Sequence, residues 1–354
     1  MKKRRMPAEW EKQSAVQLTW PHRDTDWAPM LDEITTVYEE MAREISKREQ
    51  LIVVGPENMA QPMVNCQFVN CKSNDTWTRD HGFITVFEEE SSPSPLAPPP
   101  SHLVPRTSHL LDFCFNGWGE KFPAELDNAI NRQLYQRMAA DSSPFTLHSS
   151  PIEYEPHLDF VLEGGSIESD GRGTIFTTSC CLLAPHRNQP LTQQQIEDRL
   201  KEYLGAERVV WIHHGSLIGD DTDGHIDTLV RICPDDTLLY VGCDDEQDEQ
   251  YAELHLMEEE LKTLRTIDGR PYRLLKLPMP RPIYDGDDRL PATYANYLVV
   301  NGAVLYPTYG QPALDDQART IIQQAYPDRQ MVGIDCRPVI RQHGSLHCCT
   351  MQYY

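Results

Sequence analysis

The chain has 354 residues, with 54 acidic against 32 basic residues and a formal net charge of −22. That balance argues against nucleic acid or an anionic membrane as the main partner and leans towards cationic ligands. With 40% hydrophobic residues the chain can build a sizeable core, in one large domain or two ordinary ones, and it has no apolar run long enough to span a bilayer.

The basic start Lys2-Lys3-Arg4-Arg5 is followed by Pro7-Ala8-Glu9-Trp10-Glu11-Lys12, which lacks the apolar region of a signal peptide. It reads as a solvated tail, and a cytoplasmic protein with mostly reduced cysteines is the expectation. Helical periodicity then covers roughly Met30 to Arg48, ahead of the strand-like run Leu51-Ile52-Val53-Val54 and the polar stretch Trp77-Thr78-Arg79-Asp80-His81-Gly82. Proline-dense Glu88 to Ser108 predicts an exposed loop with strand on both sides.

Further helices are predicted over roughly Leu126–Ala139, Gln193–Leu204, Gln250–Leu264 and Asp316–Ala325. Short apolar strands follow, such as Val209–Ile212 and Met331–Ile334, each leading to a polar motif. Those motifs centre on Asp80, Glu163, His225, Tyr297–Gly302 and Cys348. Their recurrence at intervals of roughly 50 to 85 residues predicts a repeated supersecondary unit. Five such units around an axis would each deliver one motif to a common centre.

The motifs supply the chemistry. In His343-Gly344-Ser345-Leu346-His347-Cys348-Cys349-Thr350 two thiols sit side by side near the chain end. On a regular strand they face opposite ways, so only one can serve a site, and the residues alone leave open which. A buried structural cysteine is the plain alternative. In Gly224-His225-Ile226-Asp227 a strand would put His225 and Asp227 on one face, one to move protons and one to hold a cation. The density of Asp220, Asp221 and Asp223 just upstream is hard to explain by packing. A zinc set of His213, His214, His225 and Asp227 is a poor chelate, because adjacent histidines alternate faces. No Cys-x-x-Cys spacing offers a structural zinc site, and the adjacent pairs Cys180-Cys181 and Cys348-Cys349 suit a disulfide framework poorly. Asp80 reads as a substrate carboxylate with Trp77 as an apolar or cation–π wall, and Glu163 as the orienting partner of a histidine. A thiol, an imidazole and several carboxylates form the inventory for cysteine chemistry on a guanidinium-like group.

The order Asp, Glu, His-x-Asp, terminal Cys is far more specific than any one motif. With it go Pro7–Glu11, Thr19–His22, Phe115-Asn116-Gly117-Trp118-Gly119, Leu162–Ile167, Pro291–Asn296 and Pro307–Gly310. Over nearly its whole length the chain resembles the agmatine deiminases and Porphyromonas-type peptidyl-arginine deiminases of the guanidine-modifying pentein superfamily. The resemblance implies one α/β domain over residues 1–354, a pentein five-bladed α/β propeller. It assigns Cys348, rather than Cys349, as nucleophile. It makes Asp80 and Asp227 guanidinium-binding carboxylates, His225 the general acid/base, Glu163 its support, and Asp221 a substrate contact. The implied reaction is hydrolysis of agmatine to N-carbamoylputrescine and ammonia through an amidino-cysteine, with no metal or organic cofactor. Free or peptidyl arginine are alternative substrates, an amidinotransferase or a non-catalytic guanidine binder are alternative activities, and a homo-oligomer fits the family. Departures from the family pattern flank the catalytic positions, at His81, Phe83, His343, Ser345 and Leu346 and in the proline-rich insertion. They bear on substrate choice rather than on reaction type.

Overall fold

The computed structural model describes residues 2–56, 64–90, 106–139 and 151–354. Its helices form where the apolar stripe and the end signals agree. Helix Leu31–Ser46 buries Ile34, Val37, Tyr38, Met41, Ala42 and Ile45 at the three-to-four spacing of one helical face, with Asp32 and Glu33 in its first turn. Helix Gln193–Leu204 opens on a capping box between Thr192 and Gln195 and stops at Gly205 in the left-handed region, φ 68°. The expected fourth and fifth helices are Tyr251–Thr263 and Pro312–Ala325, the latter started by proline in its first turn. The stretch expected as one helix over 126–139 splits into Glu125–Asn128 and Ile130–Met138.

Each of those five longer helices connects two parallel strands of a mixed sheet. Strand Ile84–Glu90 runs antiparallel to Arg106–Cys114, which after a helix is joined in parallel by Ile152–Val161. The same strand–strand–helix–strand order recurs with Ile167–Ser169, Thr174–Thr178 and Arg208–Ile212. It recurs with Val230–Cys233, Thr237–Val241 and Arg273–Leu277, and again with Leu298–Val300, Ala303–Thr308 and Gln330–Asp335. The fifth copy draws on both chain ends. C-terminal strand Thr350–Tyr353 pairs antiparallel with Ala15–Thr19, and helix Leu31–Ser46 leads to the parallel strand Gln50–Gly55. The chain is therefore a mixed α/β protein built on a repeated unit, and no sheet among the described residues closes on itself.

This closure of the fifth unit matters for the site. A segment six residues from the end would ordinarily fray. Here Thr350–Tyr353 is a buried strand, and the Ser14 amide donates to the Tyr353 carbonyl at 2.8 Å. The strand's neighbours Val16, Leu18 and Trp20 are buried, and Trp20 meets Tyr38 edge to face at 5.7 Å. Each fully buried aliphatic side chain in this layer contributes about 1.5–3 kcal/mol.

Two expectations about the first half change. Lys2–Arg5 is not a solvated tail but an edge strand, antiparallel to Ile84–Glu90, with Lys3 opposite Glu89 and Arg4 opposite Glu88. The Arg4 guanidinium forks onto Glu155 at 2.7 and 2.9 Å. Opposite charges across the ladder stabilise a run that hydrophobicity alone would leave in solvent. The loop expected over Glu88 to Ser108 is shorter at both ends, because 88–90 and 106–108 are paired strand residues, with Glu89 opposite Arg106. Its proline core, 91–105, lies outside the described residues.

Candidate active site

The site is carried by short turns between strands, and the strand readings of its motifs need correcting. His347–Cys349 is a single 3-10 turn ahead of the last strand. Asn296 fixes it: its Oδ1 accepts from the His347 amide at 2.9 Å and lies 3.4 Å from both the amide and the Sγ of Cys348. The turn aims Cys348 into a cavity of about 180 Å³, while the Cys349 thiol donates to the Ser345 carbonyl at 3.4 Å in the core. Ile226–Thr228 is likewise a 3-10 turn rather than a strand, and the side chains of His225 and Asp227 are both 0% exposed. The acid density before it is largely structural. Asp220 accepts from the Thr222 amide and hydroxyl and from the Gly224 amide, which folds the loop onto itself. Asp223 pairs with Lys121 at 2.8 Å and with Arg187 at 3.1 Å.

Four expected residues, Trp77, Asp80, Asp221 and Cys348, line the cavity together with Asp26, Asp75, Trp118, Phe122 and His343. Glu163, His225 and Asp227 lie fully buried beneath. Two glycines make this close approach possible. A Cβ on Gly165 would sit 2.5 Å from His225 Nδ1 and 2.9 Å from Asp80 Oδ1, and one on Gly344 would sit 2.1 Å from the Trp77 ring. The glycine motifs found in the sequence thus serve contact with the site.

Asp80 is held by two donors, the Trp118 indole N–H at 2.9 Å and the Gly165 amide at 3.0 Å. Burial, with help from Asp227 and Glu163, outweighs the charge of His225 and pushes the Asp80 pKa up to about 6. For Asp227 burial acts the same way, but the hydrogen bond and charge of His347 outweigh it and hold the carboxyl below its ordinary value. His347 Nδ1 lies 2.7 Å from Asp227 Oδ2, and Oδ1 has no hydrogen-bond partner among the described residues. Behind His347 stands a buried network: its Nε2 is 3.0 Å from Glu9, and Arg231 pairs with both Glu9 and Glu168.

His225 sits between carboxylates, Nδ1 at 3.6 Å from Asp80 and Nε2 at 3.5 Å from Glu163. Burial works to lower its pKa, but Asp80, then Cys181 and Glu163, outweigh burial and hold it well above the ordinary histidine value. Glu163 is anchored by Arg187 Nε at 2.8 Å, with the Cys181 thiol at 3.8 Å from its other oxygen. Burial, then Asp227 and Asp80, push the Cys348 thiol well above its usual pKa. The arrangement can therefore hold a protonated imidazole, a thiol and two cation-seeking carboxylates around one cavity.

A profile of the Porphyromonas-type peptidyl-arginine deiminase family matches residues 5–353. The chain belongs to that family. Among its relatives is the agmatine deiminase of Medicago truncatula, 31% identical over 98% of this chain and 95% of the plant protein. A cysteine-to-serine variant of C. jejuni agmatine deiminase with substrate bound is 35% identical, with a TM-score of 0.86 over 100% of this chain and 97% of that one. A Porphyromonas gingivalis structure provisionally assigned as an arginine deiminase is 48% identical, with a TM-score of 0.87 over 99% and 98% of the two chains.

Within this family member, sequence reasoning missed Arg187, Cys181 and Asn296 as neighbours of the site. Asn296 closes the motif Pro291–Asn296, but nothing in the spacing pointed to Arg187 or Cys181. The zinc set is not assembled: His213 is exposed and bonds Ser179, and His214 faces Glu253, whereas His225 and Asp227 are buried. The departures divide. His81 faces Thr19, Phe83 packs against Tyr154 and Tyr353, Ser345 meets Tyr309 and Leu346 is buried in the core, whereas His343 lines the cavity. The first four bear on packing, and His343 stands where a substrate would be met. All ten cysteines are free thiols, and no helix among the described residues is long and apolar enough to cross a membrane.

Proposed function

We propose that this protein is an agmatine deiminase, releasing ammonia and N-carbamoylputrescine through a covalent amidino-cysteine. The observation that carries the substrate is the cavity lining. Asp26, Asp75 and Asp221 surround the space above Cys348 and Asp80, and the described lining contains no arginine or lysine. A substrate carboxylate would need such a cation, whereas an ammonium tail suits carboxylates. The agmatine deiminases among the relatives support the same reading.

In this mechanism Asp80 and Asp227 pair with the guanidinium N–H groups and place its central carbon before Cys348 Sγ. The bound cation offsets the two carboxylates that raise the thiol pKa, so with substrate in place the thiol loses its proton to solvent and the thiolate forms. Cys348 Sγ bonds to the carbon, and the tetrahedral adduct collapses as His225 gives its proton to the departing nitrogen, which leaves as ammonia. The neutral His225 then takes a proton from water, whose oxygen attacks the amidino carbon. The C–S bond breaks and the ureido product leaves. Glu163, tied to Arg187, holds the imidazole in place. Five strand–strand–helix–strand units arranged as a ring around this centre, in one catalytic domain over 1–354, complete the reading.

The test is ureido-product and ammonia release by the purified protein from agmatine, free arginine and an arginine peptide, without any amine acceptor. Agmatine turnover that is lost by at least about a thousandfold in Cys348→Ala is expected. Asp221→Asn should raise KM for agmatine with kcat nearly kept. Preference for arginine or a peptide would overturn the substrate, a need for an amine acceptor would make it a transferase, and an active Cys348→Ala would sink the nucleophile.

A further inference from the structure

One buried nucleophilic group has no part in the chemistry above. The Cys181 thiol lies at the back of the site, beside His225, which carries the proton, and Glu163, which holds the imidazole. Glu163, Cys181 and His225 each offer a ligand atom, all within 4.8 Å of one another, and all three side chains are buried. We propose that these three residues form an inhibitory zinc(II) site that takes the imidazole out of service.

The geometry suits the ion. Zinc bonded tetrahedrally to nitrogen, oxygen and sulfur at about 2.0–2.3 Å spaces its N and O ligands roughly 3.3 Å apart and its S and O ligands roughly 3.5 Å apart. Here His225 Nε2 stands 3.5 Å from Glu163 Oε2, and Cys181 Sγ stands 3.8 Å from that same oxygen. A contraction of a few tenths of an ångström brings these two pairs to ligand spacing, and the imidazole and the Cys181 thiol stand within 4.8 Å of each other across the same space. The donors are also the right kind, since imidazole, thiolate and carboxylate together favour zinc over calcium or magnesium.

The surroundings prepare both sides of the carboxylate. Arg187 takes Glu163 Oε1 at 2.8 Å, which leaves Oε2 directed at Cys181 and His225. Neither ring nitrogen of His225 has a hydrogen-bond partner among the described residues. Binding releases the Cys181 thiol proton and the imidazolium proton to solvent as the Zn–S and Zn–N bonds form. Cys348 is not a ligand in this arrangement. The ion therefore blocks proton transfer and leaves the nucleophile free. The binding stands on its own; only the inhibition rests on the role proposed for His225.

Cobalt(II) titration of the full chain tests the site without reference to activity, through the thiolate-to-metal charge-transfer band and a tetrahedral visible spectrum. Wild type and Cys348→Ser should both show the band, Cys181→Ser should lose it, and zinc should displace it. Glu163→Gln guards against misfolding of the cysteine variant. It should weaken binding by at least the roughly tenfold that even an outer-shell partner is worth. Zinc should also stop turnover, and a chelator should restore it. A missing band in wild type, or a band lost with Cys348 and kept without Cys181, overturns the site. Zinc bound through Cys181 with turnover unchanged overturns its inhibitory role. A Cys181-dependent band in a protein that turns over no guanidine would uphold the site while the deiminase reading fails.

Discussion

The two carboxylates assigned to the guanidinium sit in one site and have opposite electrostatics. Asp227 is backed by His347, Glu9 and Arg231, and its carboxyl is held below its ordinary value. Asp80 has neutral donors, the Trp118 indole and the Gly165 amide, and is pushed up to about 6 beside Asp227 and Glu163. Burial is the largest influence on both. The difference lies in what burial is set against. A charged partner outweighs it at Asp227, whereas at Asp80 the charge of His225 falls short of burial reinforced by Asp227 and Glu163. One carboxylate is thus built into the fold as an anion, and the other gains its full charge benefit only when a cation arrives.

The largest effect that tests this contrast is on stability and activity together. Asp227→Asn and Asp80→Asn should each lower kcat/KM by at least about a hundredfold, because each removes half of the cation clamp. Their stabilities should diverge. Asp227→Asn strips a partner from a buried charge network and should cost about 3–5 kcal/mol, read by denaturant unfolding. Asp80→Asn should be neutral or stabilising. If both destabilise alike, the contrast is broken.

The pH dependence sharpens it. An Asp80 pKa near 6 lies above that of the unfolded chain, so ionising it weakens the fold. Its effect on stability therefore improves as pH falls through about 6, and on the order of a few kcal/mol is at stake. Asp227 has the reverse sign: its stabilisation is present above its unfolded pKa and is lost only as pH falls through its depressed folded value. Agmatine binding needs both charges, so kcat/KM should fall on the acid side with a midpoint near pH 6. A profile flat through that region would contradict the Asp80 environment.

Trp118→Phe removes one charge-assisted hydrogen bond from Asp80. A loss of about 1.5–3 kcal/mol corresponds to roughly tenfold or more in kcat/KM. The acid limb should move to higher pH, which simple loss of packing would not do. The smallest effect on catalysis is expected from Cys349→Ala. Its thiol serves the core, so thermal unfolding should show a cost of about 1 kcal/mol while agmatine turnover is kept. Substantial loss of turnover there would reopen the choice between the two cysteines.

Much of this protein was legible as pattern. Helix Gln193–Leu204 carries its stripe, capping box and terminal glycine between Thr192 and Gly205, and its bounds agree with the approximate ones read from the sequence. The repeat was visible as helix, strand and polar motif, and the structure sets His225 between Asp80 and Glu163 and puts Asp80 and Cys348 on one cavity. Where reading failed, the interaction was long in sequence or irregular in backbone. The strand readings of His225–Asp227 and Cys348-Cys349 gave way to 3-10 turns, which have no periodic signature three residues long. The Asp220 and Asp223 carboxylates read as site residues because their partners, Gly224, Lys121 and Arg187, are set by loop geometry.

The sequence by itself determined the residue types, their order and the local elements, because caps, apolar stripes and glycine turns act within a few residues. It also determined the family, through motifs spread over the whole chain. Only the tertiary structure decided which cysteine faces the cavity, which acids line it, and which of two carboxylates is charged in advance. Those outcomes depend on partners hundreds of residues away, such as Glu9 behind His347, and on burial, which no local pattern encodes.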